Sequence, residues 1–151
     1  MAIYGDKMNF VLPTDFDELK ANPIDFLGIN FYTRHVVKSA PYSNHMLKFE
    51  EVRQDAEHTE MGWEVSPVSI YNVLKHVNDE YAPKAIFITE NGAAFDDVID
   101  GDAVHDDRRV AYYQHYIANC HRAIQDGIPL KGYFAWSLLD NFEWAEGYSK
   151  R

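Results

Sequence analysis

Cysteine is almost absent: Cys120 is the single one in 151 residues. No internal disulfide can staple the fold, and no cysteine-based zinc site can be built. No apolar run approaches the ~18 residues that a membrane span requires, and no signal-peptide pattern opens the sequence. The Asn-x-Ser/Thr acceptor of glycosylation does not occur either. Together these absences set the expectation of a soluble, cytoplasmic chain. Basic residues are also few, with 14 Lys and Arg against 24 Asp and Glu for a formal charge of −10. Nucleic acid and anionic membrane surfaces, which need a basic footprint, are poor partners for such a chain. The seven histidines show no HExxH or other tight ligand spacing, so no metal is expected. There is no glycine-rich phosphate loop and no Gly-x-Ser-x-Gly elbow, hence no expected cofactor and no serine nucleophile. A neutral, hydroxyl-rich ligand survives all of these exclusions.

What is present is apolar and aromatic. The sequence is 46% hydrophobic, enough for one core, and contains 3 Trp, 10 Tyr and 9 Phe. Most Phe and Tyr are ordinary core material, but all three Trp lie in or beside polar, loop-like segments. Three apolar runs read as buried strands: 24–32 (IDFLGINFY), 85–89 (AIFIT) and 130–137 (LKGYFAWS). The second is nearly continuous, as suits a parallel strand covered on both faces.

Helical patterns separate the runs. One begins at Ser66-Pro67, an N-cap followed by proline at the first helical position, and carries a stripe of Ile70, Leu74, Val77 and Tyr81. Another starts at Asp106 or Asp107 and spaces Val110, Tyr113, Ile117, Cys120 and Ile124 by threes and fours. Gly127 suits its C-terminal cap, and Pro129 stops continuation. A shorter helix over 14–21 precedes the first strand, with Thr14 and Asp17 placed like a capping box. The alternation predicts βα units around a parallel sheet, in a single domain over 1–151. The connections 33–65 and 91–105, which follow strands, are long. Long loops at the carboxyl ends of parallel strands are where α/β folds place their sites.

Each strand run ends in polar groups: Asn30 and Tyr32, then Glu90-Asn91-Gly92, then Trp136 with Asp140, Asn141, Glu143 and Trp144 beyond it. A carboxylate beside aromatics and amides suits a sugar, whose CH faces stack on indole while its hydroxyls need donors and acceptors. Other readings stand beside this one. Asn-Gly is a common turn signal, so Glu90 could be an idle turn residue. Asp140 and Glu143 could be first-turn acids at a helix N-terminus, Trp136 plain core, and Trp63 packing beneath a loop.

ITENG at 88–92, followed by WSLLDNFEW at 136–144, resembles glycoside hydrolase family 1, the retaining β-glucosidases and their relatives. DFLGINFYT at 25–33 and MGWEVSP at 61–67 match further segments of that family in the same order. The resemblance implies a partial (β/α)8 TIM barrel comprising about the last three βα units. It implies that Glu90 is the nucleophile that forms a covalent glycosyl-enzyme, and that Tyr32 hydrogen-bonds this carboxylate. Asn30 would lie close by, Glu143 would hold outer sugar hydroxyls, and Trp144 would donate its indole N–H. Trp136 would form the stacking platform, and Trp63 would line the leaving-group side. The implied ligand is a β-linked glucoside or a related sugar.

The pattern is incomplete. The acid/base carboxyl group of the family sits in an Asn-Glu-Pro segment that this sequence lacks. A retaining mechanism needs that group roughly 5–5.5 Å from the nucleophile. A barrel of this type also needs ~250 residues. The expectation is therefore a carboxyl-terminal portion of a larger catalytic domain, inactive alone. Its open sheet edges and inner face would be completed by the remainder of the barrel or covered by self-association. A non-catalytic sugar-binding or structural fragment is the alternative.

Overall fold

The computed structural model describes residues 8–150. Three parallel strands form its centre: β1 (Leu27–Asn30), β4 (Ile86–Asn91) and β7 (Leu130–Ala135), in the order β1-β4-β7. Helix α2 (Pro67–Tyr81) connects β1 to β4, and α3 (Asp107–Gln125) connects β4 to β7. The long connections each contain a small antiparallel ribbon, β2 (Val37–Ser39) with β3 (Phe49–Glu51), and β5 (Ile99–Asp100) with β6 (Ala103–Val104). Helix α1 (Pro13–Ala21) precedes β1 and buries none of its residues.

The core lies between the helix pair and one face of the sheet. Ile70 and Leu74 of α2, Ile86 and Ile88 of β4, and Tyr116 and Ala123 of α3 are all fully buried. Each large apolar side chain sequestered in this way contributes about 1.5–3 kcal/mol. Among the described residues, no buried side-chain N or O lacks a hydrogen-bond partner.

Helix ends follow local chemistry. Pro67 opens α2 as expected, but the Ser66 hydroxyl bonds Ser69 Oγ (2.7 Å), and the Ser66 N–H donates to Tyr116 Oη (3.0 Å). Gly127, at φ +85°, ends α3 in a Schellman arrangement. Its N–H reaches Ile124 O and the Ile128 N–H reaches Ala123 O, both at 3.0 Å. Helix α1 starts at Pro13, one residue before the expected Thr14. Asp15, not Asp17, reaches back to the start, its Oδ2 accepting the Leu12 N–H at 2.9 Å.

Four other expectations need correction. On α3 the buried face is Tyr112, Tyr116, Cys120 and Ala123, while Val110, Ile117 and Ile124 are about half exposed. The tyrosines bury because they stack on one another (ring centroids 4.1 Å apart) and have partners for their hydroxyls. On α2, Tyr71 is buried, while Tyr81, the last residue of the helix, is 72% exposed. β4 is not covered on both faces: Phe87 and Thr89, on the side away from the helices, are only partly buried, and on the same side of the sheet Phe26 and Phe134 are each more than half exposed. The strands also differ in extent from the apolar runs, because pairing to β4 begins at Leu27 and β7 ends at Ala135, one residue before Trp136.

Candidate active site

The carboxyl ends of β1, β4 and β7 open into one cleft of about 630 Å³. Asn30, Tyr32, Trp63, Glu90, Trp136, Glu143 and Trp144, the seven residues singled out in the sequence, all line it. Glu90 is partly buried, and its Oε2 accepts the Tyr32 hydroxyl at 2.7 Å. Burial, and next the bond to Glu90, push the Tyr32 phenol well above the usual tyrosine range. It therefore keeps its proton and donates to the carboxylate. The Tyr32 ring in turn packs against Trp63 (centroids 5.3 Å apart). Asn30 faces the same side and accepts the Thr89 hydroxyl at 2.6 Å.

The third wall follows β7. Trp136 is 43% exposed and is therefore not a core residue. Glu143 immediately precedes the short 3₁₀ helix Trp144–Glu146 but makes no side-chain cap. Instead its Oε1 accepts from Asn141 Nδ2 (2.8 Å) and Trp136 Nε1 (3.3 Å), which holds the carboxylate at the cleft wall. Trp144 is 88% exposed, its indole open to solvent at the rim. An acceptor pair, indole faces and amide groups around one cavity can grip a polyhydroxylated ring from both its polar edge and its apolar face.

The turn reading of Asn91-Gly92 is excluded. Asn91 is completely buried, and Gly92 lies so close to β7 that a Cβ would sit 1.8 Å from the Trp136 carbonyl oxygen. Only glycine permits that approach of the two strand ends. The Trp136 N–H closes it by donating to the Asn91 carbonyl at 2.9 Å.

Ion pairs hold the long loops around the cleft. Arg34 makes two bonds to Glu64 (2.7 and 3.0 Å), next to Trp63. Arg108 on α3 pairs with Glu57 at 3.0 Å and lies over the Phe95 ring. Arg109 reaches Ala93 O, Asp97 and Asp106, fastening the β4 loop to the start of α3. Arg109 is the contributor that sequence reasoning missed, while Asn91 and Asn141 were noted among the strand-end polar groups but given no role of their own. The Asp106/Arg109 spacing of three on a helix was the available signal for Arg109. Asn91 was concealed by its resemblance to a turn. Among the described residues, no three His, Cys, Asp or Glu side chains gather where they could hold a metal ion.

Residues 4–151 match the sequence pattern of glycosyl hydrolase family 1. A 1,4-β-D-glucan glucohydrolase of Thermotoga neapolitana is 55% identical over 138 residues, covering 91% of this chain and 32% of that protein. β-Glucosidase A of Thermotoga maritima is 53% identical over 138 residues, covering 91% of this chain and 30% of that protein. A solved family 1 β-glucosidase from T. maritima superposes with a TM-score of 0.87 at 47% identity, covering 100% of this chain and 34% of that one. A T. maritima family 1 glycoside hydrolase complexed with a cyclophellitol-analogue transition-state mimic superposes with a TM-score of 0.85 at 47% identity, covering 100% of this chain and 34% of that one. The chain thus spans about a third of the length of the relatives it matches.

Proposed function

Because the chain belongs to glycosyl hydrolase family 1, we propose that it supplies the nucleophile half of a retaining β-glucosidase site. The observation that carries this reading is the Glu90 carboxylate at the tip of β4, held at 2.7 Å by a tyrosine that stays protonated. In the first step a Glu90 oxygen attacks the anomeric carbon of a β-glucoside. The bond to the leaving group breaks, and the glucosyl unit becomes an ester of Glu90. A proton must reach the departing oxygen, and water must then be activated to free the sugar. Both tasks fall to a second carboxyl group, which this chain does not provide. Tyr32 donates to Glu90 and aims it, Trp136 stacks under the sugar ring, and Glu143 with Trp144 grips its outer hydroxyls. Asn30 contributes a further polar contact, and Trp63 borders the leaving group. Hydroxyl contacts that tighten as the ring distorts add to rate as well as affinity.

In this reading the chain is one partial TIM-barrel domain of about three βα units, β7 being the strand of the last. Its partner is the remainder of the barrel. The exposed Phe26 and Phe134 on the inner face, and the Val110, Ile117 and Ile124 ridge on α3, are surfaces for that remainder to cover. Left alone, the same surfaces favour self-association.

The test is complementation. The chain is mixed with the two thirds of the T. neapolitana glucohydrolase that it does not match, and aryl β-glucoside hydrolysis is followed together with product stereochemistry. The expected result is negligible turnover by the chain alone and turnover with retention by the mixture. A folded mixture with no turnover sinks the enzymatic reading in favour of a sugar-binding fragment. Glu90-dependent turnover by the chain alone sinks the claim that it is half a site.

A further inference from the structure

Strand alternation alone places Glu90 on the wrong side of the sheet. Ile86 and Ile88 of β4 point into the core beneath the helices, while Phe87 and Thr89 face the inner side. With a period of two, Glu90 belongs with Ile86 and Ile88, and Asn91 belongs in the cleft. The structure has the opposite arrangement. Both neighbouring strands reveal why. Ile29 and Asn30 of β1 pair with Ile88 and Glu90, a single step on β1 against two on β4. Tyr133 and Ala135 of β7 pair with Ile88 and Asn91, two steps against three. β4 therefore carries one extra residue between Ile88 and Asn91, a bulge that sets Thr89 and Glu90 consecutively on the inner face.

A bulge needs a reason to stay at one position, since a slip by one residue returns the carboxylate to the core side. Asn91 provides that reason. Its Nδ2 donates to the Phe31 carbonyl just past the end of β1 (2.8 Å) and to the Tyr112 hydroxyl of α3 (2.9 Å), and its Oδ1 accepts from the Tyr133 hydroxyl of β7. One amide thus joins both flanking strands and the covering helix at the residue that follows the nucleophile. Burial raises the Tyr112 and Tyr133 phenols above the usual tyrosine range, so both remain protonated and able to hold their places in the network. A hydrophobic side chain at 91 would bind none of these three groups.

We infer that Asn91 is a positioning residue for catalysis, whose buried amide locks the β4 bulge in the phase that turns Glu90 into the cleft. The inference rests on the reading of Glu90 as nucleophile, and its test separates the two. The chain, complemented as above, is treated with a glucosyl fluoride that is fluorinated beside the anomeric carbon. Glu90 attacks, the carbon–fluorine bond at the anomeric centre breaks and fluoride leaves without needing a proton, so the adduct reports on nucleophile placement alone. The variants are Asn91→Ala, the milder Tyr133→Phe, and Leu74→Ala, which destabilises the core far from the strand tip. All are assayed well below their unfolding temperatures, and the titration of isotope-labelled Tyr32 is recorded in each.

Asn91→Ala is expected to slow labelling about a hundredfold, as for displacement of a reacting group by about an ångström. Tyr133→Phe should slow it about tenfold, and Leu74→Ala less than about twofold. Tyr32 should titrate closer to the ordinary tyrosine range in Asn91→Ala and remain raised in Leu74→Ala. Labelling of Asn91→Ala at the unaltered rate, or equal slowing in Leu74→Ala, overturns the inference. If Asn91→Ala does not fold, Tyr133→Phe decides by the same comparison. If the unaltered chain takes no label, the nucleophile reading has failed, and an unmoved Tyr32 titration in folded Asn91→Ala or Tyr133→Phe then separately refutes the positioning role.

Discussion

The two faces of the three-stranded sheet differ in almost every physical respect. On the helix side, Ile86, Ile88 and Leu130 meet Leu74, Tyr116 and Ala123 in a core without solvent, and even the polar Asn91 has all its partners. On the inner side, Phe26 and Phe134 stand more than half exposed, with Glu90, Asn30 and Tyr32 at the open cleft above them. One face is complete within this chain. The other is divided: its polar end gathers a carboxylate, a phenol and an amide at the cleft, while its apolar end stays exposed in this chain.

The sharpest way to break this contrast is to alter each face and measure both stability and chemistry. Glu90→Gln should reduce covalent labelling by the activated fluoride by about four orders of magnitude or more, because an amide is a poor nucleophile. The denaturant midpoint should hardly change, since the side chain lies at the cleft. A large stability loss would mean that the carboxylate belongs to the core. On the opposite face, Ile86→Ala should cost about 2–5 kcal/mol of unfolding free energy in denaturant titration. Labelling should persist under folding conditions, so equal damage to both readouts would erase the distinction.

The buried tyrosines offer a pH test of the helix side. Tyr112, Tyr116 and Tyr133 have phenols raised above the ordinary value by burial. The folded chain retains these protons at a pH where the unfolded chain loses them. Their contribution is therefore fully present below pH about 10 and declines as the pH climbs from there toward the folded-state values. Each tyrosine contributes a slope of up to about 1.4 kcal/mol per pH unit. Stability that stays level to pH 12 would contradict the buried, protonated network. The smallest expected effect is that of Phe134→Ser on the inner face, within about 0.5 kcal/mol in stability. Sedimentation should nevertheless show weaker self-association, and an unchanged association state would remove this face from the contact surface.

Much of the architecture was legible because local signals agreed with one another. Ser66-Pro67, Gly127-Ile128-Pro129 and the three apolar runs placed the βα units, and the long loops placed the site at the strand ends. The helix faces were harder to read. Val110, Ile117 and Ile124 form an apolar series on α3, but the face that packs is the tyrosine face, roughly a quarter turn away. Periodicity counts apolar residues without knowing where hydroxyl partners lie, and those partners come from Ser66 and Asn91 in distant segments. The site residues were read through motif resemblance, and all seven meet at the cleft. What no pattern conveyed was the bulge. Alternation assigns Glu90 to the core side, and only pairing with β1 and β7 reverses it.

The central claim is that Glu90 is the nucleophile of a family 1 site that this chain only half contains. Its most direct test is peptide mass spectrometry of the complemented chain after treatment with the fluorinated glucosyl fluoride. The account predicts one sugar adduct, on the peptide containing Glu90, absent from Glu90→Gln. An adduct on another carboxylate, or none on a folded complex that binds the sugar, would contradict it.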